Sequence, residues 1–149
     1  MRTKSTPKRR PRSSIAVQRA ARGAPSAARL RAWARAAAAP GSEVTLRVVG
    51  AAEARLLNRA FRKRDTATNV LSFSYSRTHG DIVLCHPVIA REARAQGKTL
   101  AAHYAHLVVH GMLHLRGLDH ARAADARRME RRETMLLARL GFGDPYTVE

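Results

Sequence analysis

Residues 99–120 read TLAAHYAHLVVHGMLHLRGLDH, and residues 99–115 within them contain no Asp, Glu, Lys or Arg. A helix that carries no charge over such a length is buried nearly all round, so other elements must pack on every side of it. Gly117 is its stop, because glycine adopts at no steric cost the left-handed conformation that ends helices.

The neighbouring segments supply the covering elements. Ile15 and Val17 alternate with small or polar residues as a short edge strand, and Ser26 to Ala39 is an Ala-rich helix stopped by Pro40-Gly41. Val44, Leu46 and Val48 alternate with Thr45 and Arg47 as a half-buried strand. Residues 51–63 place Leu56, Leu57, Ala60 and Phe61 on one face of an amphipathic helix. Thr68 to Tyr75 returns to period two, with Leu71, Phe73 and Tyr75 on one face and Ser72 and Ser74 on the other. Asp81 to Cys85 follows as an apolar strand, Pro87 to Gln96 as a helix, and residues 121–140 as a charged helix carrying Met129, Leu136, Leu137 and Leu140. Strands and helices interleave, and no repeat is visible. The expected fold is α/β (α+β), a single domain of one mixed β-sheet packed against helices around the central buried helix.

A chain of 149 residues has room for one core, and it needs neither disulfide nor metal merely to fold. Cys85 is the only cysteine, which excludes an intramolecular disulfide and fits a reducing cytoplasm. No uncharged apolar run approaches the roughly 20 residues of a membrane span. The formal net charge is +17, and residues 1–42 contain neither Asp nor Glu. Much of the excess lies in MRTKSTPKRRPRSS, too rich in Pro, Ser and Arg to pack a core. Residues 1–13 read as a basic disordered tail and 14–149 as the domain. Such a tail adds salt-dependent, sequence-independent attraction to phosphates. It shares its Arg- and Ser-rich, acid-free composition with organellar transit peptides but lacks a long amphipathic helix.

His110 and His114 are four residues apart, so on the central helix their imidazoles lie one turn from each other on one face. His120, six residues further, would point elsewhere on a continued helix. A chain reversal at Gly117 brings it back to face the pair. Three neutral imidazoles favour one Zn2+ ion over hard cations and leave a fourth coordination position open, as catalytic zinc sites do. His103 and His106 read as supporting or cleft-lining residues. Asp119 reads either as an orienter of an imidazole or as a turn residue bonded to its own backbone.

The same histidine spacing occurs in metzincin proteases, where a Glu directly after the first His is the general base. Gly111 stands there, so the protease alternative lacks its proton acceptor. Glycine in mid-helix costs roughly 1 kcal/mol relative to alanine. Its presence implies that space beside the metal is needed, as for a bulky substrate. A second alternative is a non-catalytic, ribosome-associated RNA-binding factor with structural zinc. Against it stands the open position, since structural sites are usually closed by four protein ligands.

Several separated motifs carry a resemblance that covers nearly all of the chain after the tail. HGMLHLRGLDH (110–120), LNRAFRKRDTATNVLSF (57–73), GDIVLC (80–85) and MERRETMLLARLGFGDPY (129–146) resemble, in order, the signatures of the YbeY family of metal-dependent endoribonucleases. The resemblance implies a cytoplasmic enzyme that cuts single-stranded RNA. It also implies ribosomal RNA, the ribosome or ribosomal proteins as partners, in maturation of the small-subunit RNA end and ribosome quality control. It implies His110, His114 and His120 as zinc ligands and Arg62 as the basic catalytic residue, a phosphate-holding cation in a reaction that needs charge stabilisation. The stretch from Phe73 to Gly80 is shorter than in many relatives, and the basic tail lies outside the family pattern.

Overall fold

A computed structural model describes residues 12–62, 68–117 and 122–147, with the backbone alone at 61 and 62. Nine elements follow one another: β1 (Ser14–Arg19), α1 (Ala27–Ala37), β2 (Glu43–Val49), α2 (Ala51–Arg62), β3 (Val70–Ser74), β4 (His79–Cys85), α3 (His86–Ala95), α4 (Leu100–Leu115) and α5 (Ala123–Arg139). The strands form one sheet in the order β1-β2-β4-β3. β1 and β2 are parallel, β2 and β4 are parallel, and β3 runs antiparallel to β4 with Leu71 opposite Val83 and Phe73 opposite Asp81. The mixed sheet is the one the sequence implies. Most of the basic stretch before β1, residues 1–11, lies outside the described residues.

Alternation along the strands places side chains on two covered faces. Val44, Leu46, Val48, Ile82 and Leu84 pack with Leu30 and Trp33 of α1, with α4, and with Met129 and Leu137 of α5. Leu71, Val83 and Cys85 pack on the other face with Ala54 of α2 and Val88 of α3. α1 starts where Ser26 accepts a hydrogen bond from the backbone N–H of Arg29 at 3.2 Å, and α4 where Thr99 does the same for Ala102 at 3.1 Å.

β3 is shorter than the alternation from Thr68 to Tyr75 implies. Before it, the Asn69 side chain donates to Glu92 of α3 at 3.1 Å and accepts from the Val70 N–H at 2.7 Å. After it, Tyr75 is 68% exposed, and its hydroxyl donates to Asp81 at 2.7 Å. Backbone bonds nonetheless continue the pairing one residue past each limit, from the Cys85 N–H to the Asn69 carbonyl and from the Tyr75 N–H to the His79 carbonyl, both at 2.9 Å.

α4 is the central buried helix expected from its lack of charge. Tyr104, Ala105, Val108, Val109 and Leu113 are wholly inaccessible. Two of the polar side chains brought in with them find partners: Tyr104 shares a hydrogen bond with His86 Nδ1 at 2.7 Å, and His103 Nε2 lies 3.0 Å from Glu92, although His103 Nδ1 has no hydrogen-bond partner among the described residues.

Candidate metal centre

Gly117 has φ +87°, and α4 ends there as its sequence implies, with the Gly117 N–H bonded to the His114 carbonyl at 3.0 Å. In the second half of α4, His106, His110 and His114 are the half-buried positions between buried neighbours. Four residues separate each from the next, so they form a stripe of the helix that reaches the surface. The structure therefore sets two of the three expected ligands, His110 and His114, on one accessible face. His120 and Asp119 lie outside the described residues. Arg62 closes α2, and its side chain is also outside them. Among the described residues no three His, Cys, Asp or Glu side chains converge as a metal-binding set.

Glu133 of α5, not singled out by sequence reasoning, is wholly buried beside this stripe. One carboxylate oxygen lies 2.5 Å from His110 Nδ1, and the other lies 3.1 Å from His106 Nε2 and accepts from the Tyr146 hydroxyl. Burial pushes the Glu133 carboxyl up, but the hydrogen bonds from His106, His110 and Tyr146 outweigh it and bring the group down to about 2. Glu133 is consequently ionised at neutral pH and can only accept. The same burial and the facing carboxylate push the Tyr146 hydroxyl far above its ordinary value, which keeps it a donor.

An acceptor-only partner at Nδ1 fixes the His110 tautomer. The proton sits on Nδ1, so the lone pair sits on Nε2, the arrangement found when a carboxylate backs a metal-bound histidine. His110 is thereby suited to a metal such as zinc. A signal for Glu133 does exist in the sequence: it falls four residues after Met129 and four before Leu137, on the apolar stripe of α5. A carboxylate at such a position needs a buried partner.

Gly111 has a different cause from the one its sequence context suggests. A Cβ there would lie 3.1 Å from Ile82 Cδ1, 3.3 Å from Ile82 Cγ2 and 3.3 Å from Ser72 Oγ. The missing side chain admits the sheet to the helix, not a substrate to the metal. A protease-like carboxylate at this position would meet the core. Ile82 is wholly buried and has little freedom to move aside. Gly111→Ala gains roughly 1 kcal/mol of helix propensity against about 1–3 kcal/mol of overpacking. A net loss of about 1 kcal/mol in urea unfolding is expected, and a more stable variant would show that the helix has room.

Comparison with known proteins bears on the same segments. The sequence model of the family described as Endoribonuclease YbeY matches residues 13–141. The chain belongs to the YbeY family. Its curated relatives include the Endoribonuclease YbeY of Aromatoleum aromaticum, 52% identical over 143 residues that cover 91% of this chain and 93% of that protein. That of Bordetella parapertussis is 60% identical over 111 residues, 71% of each chain. Among solved structures, the solution structure of TM1509 from Thermotoga maritima superposes with a TM-score of 0.61, covering 90% of this chain and 99% of that one. At 21% identity that likeness speaks for the fold alone. The YbeY match spans α4, α5 as far as Gly141 and the strand pair β3–β4, and so includes Glu133 with the histidine stripe. Among the described residues no helix is long and apolar enough to cross a membrane.

Proposed function

We propose that this YbeY-family chain is a zinc-dependent endoribonuclease. It cuts single-stranded RNA in the cytoplasm, with ribosomal RNA as its substrate and the ribosome or its proteins as partners in small-subunit RNA maturation. The observation that carries the reading is the His110–Glu133 pair at 2.5 Å, which presets one imidazole for a metal on the accessible stripe it shares with His114. His110, His114 and His120 would hold one zinc ion. When bound, zinc supplies Lewis acidity toward a phosphoryl oxygen and hydroxide at neutral pH. Glu133 holds the His110 ring in place and keeps its proton on Nδ1. Arg62 binds a phosphoryl oxygen by paired hydrogen bonds and offsets charge that develops there. Position 111 holds no proton acceptor and faces Ile82, which disfavours the protease alternative.

The test offers purified protein of measured zinc content both a single-stranded RNA and an unfolded polypeptide. RNA is cut and the polypeptide left intact; chelator abolishes cutting and added zinc restores it. Polypeptide cleavage would reinstate the protease. RNA bound but never cut would favour a non-catalytic factor, and chelator-resistant cutting would remove the metal from the mechanism.

A further inference from the structure

The turn joining β3 to β4 faces the C-terminal end of α4 across a groove of about 640 Å3 that opens to solvent. Ser74, Ser76 and Arg77 line one wall, and Leu115, Arg116 and Gly117 the other. The second wall begins at the residue after His114, so the groove adjoins the histidine stripe along the chain. No Asp or Glu occurs among the described residues that line it.

The turn is held by its own hydrogen bonds. Ser76 Oγ accepts from the N–H groups of Thr78 and His79 at 3.2 and 3.1 Å, and the His79 carbonyl accepts from the Tyr75 N–H at 2.9 Å. The Thr78 hydroxyl lies 2.9 Å from His79 Nδ1, while His79 Nε2 engages Glu43 at 3.0 Å. Arg77, within this self-satisfied turn, makes no hydrogen bond or ion pair with any described residue. Opposite it, Arg116 is exposed and tethered by a single long bond to the Ala37 carbonyl at 3.4 Å. Two guanidinium groups on a braced turn and a helix end, with no acid among the described residues that line the groove, suit phosphate, because each presents a planar fork to anionic oxygens.

We propose that this groove is a backbone subsite for single-stranded RNA, in which Arg77 and Arg116 bind phosphodiesters of the strand beyond the scissile bond. The proposal rests on the endoribonuclease reading and extends it. The arginines position the strand and take no part in bond breaking. Their removal therefore raises KM and leaves kcat unchanged. The salt dependence of binding falls by about 0.7 for each phosphate no longer neutralised, about 1.4 for the pair.

The experiment measures fluorescence anisotropy of a labelled single-stranded oligouridylate against the full chain in chelator, across a series of salt concentrations. Arg77→Ala/Arg116→Ala is expected to weaken binding roughly tenfold at low salt and to flatten the log–log salt slope by about 1.4. Arg77→Lys/Arg116→Lys retains most of the slope, because its charge persists. Arg91→Ala/Arg94→Ala on the exposed face of α3 removes as much charge and leaves the slope near that of the unmodified chain. The basic tail is common to every variant and cancels from each comparison. An unchanged slope in the first variant, with RNA still cut by the unmodified chain, overturns the groove and spares the proposed function. A lysine pair that loses as much as the alanine pair, or an α3 pair that loses as much, also overturns the groove. An unmodified chain that neither binds nor cuts RNA overturns both readings.

Discussion

His114→Ala loses bound zinc and RNA cleavage together while its helix content stays that of the unmodified protein. The expected drop in cleavage is about a thousandfold or more, since a Lewis acid contributes several kcal/mol of transition-state stabilisation. His114 is the cleaner of the two described candidate ligands to remove. It is half-buried near the end of α4, and the bond from Gly117 that closes the helix goes to its backbone carbonyl, which alanine retains. Alanine is also the best helix former, so the truncation has little cause to unwind the helix. His110→Ala would leave Glu133 a buried carboxylate short of one donor, which confounds metal loss with instability. Metal analysis, circular dichroism and a cleavage assay on one preparation decide the matter. Full zinc with full activity removes His114 from the ligand set.

The fold is legible wherever local pattern and tertiary role coincide. Residues 99–115 lack charge because α4 is enclosed, and Gly117 marks its end because the chain there needs a positive φ, observed at +87°. The alternation at Val44, Leu46 and Val48 survives into a covered sheet face. Two features are legible only in part, for one physical reason. Periodicity says which residues share a face, not what that face meets. The sequence around Gly111 suggests space for a substrate, whereas its neighbours are Ile82 and Ser72, from strands some thirty to forty residues away. Glu133 resembles one more charge on a charged helix, although it sits on the stripe of Met129 and Leu137.

Glu133 bears on the site itself. Sequence spacing identifies imidazoles that can share an ion, but an imidazole has two nitrogens and only one binds. The choice lies with the group behind the ring. For His110 that group comes from α5, twenty-three residues further along the chain. α4 thus serves two ends at once: its buried faces join the sheet to α1 and α5, and an accessible stripe carries the histidines. A helix fixed by core packing on its other faces holds such side chains more rigidly than a loop would.

Glu133→Gln is expected to weaken zinc binding about 10–100-fold, the usual range for loss of a partner behind a metal ligand, with the fold retained. Three donors converge on the carboxylate: His110 Nδ1 on one oxygen, and His106 Nε2 with the Tyr146 hydroxyl on the other. Glutamine has the same shape but only one accepting end. Its oxygen settles where two donors meet, which turns the amide NH2 toward His110. Two donors then face each other unless His110 moves its proton to Nε2, and that shift removes the lone pair a metal needs. Glu133→Ala does more damage, leaving the partly exposed donors of His106, His110 and Tyr146 without their acceptor, and an unfolding loss of about 1–3 kcal/mol follows from those unmade hydrogen bonds. A zinc competition titration against a chromophoric chelator, run beside urea unfolding, separates the two effects. Wild-type zinc affinity in Glu133→Gln would mean that the carboxylate braces the core and has no hold on the metal.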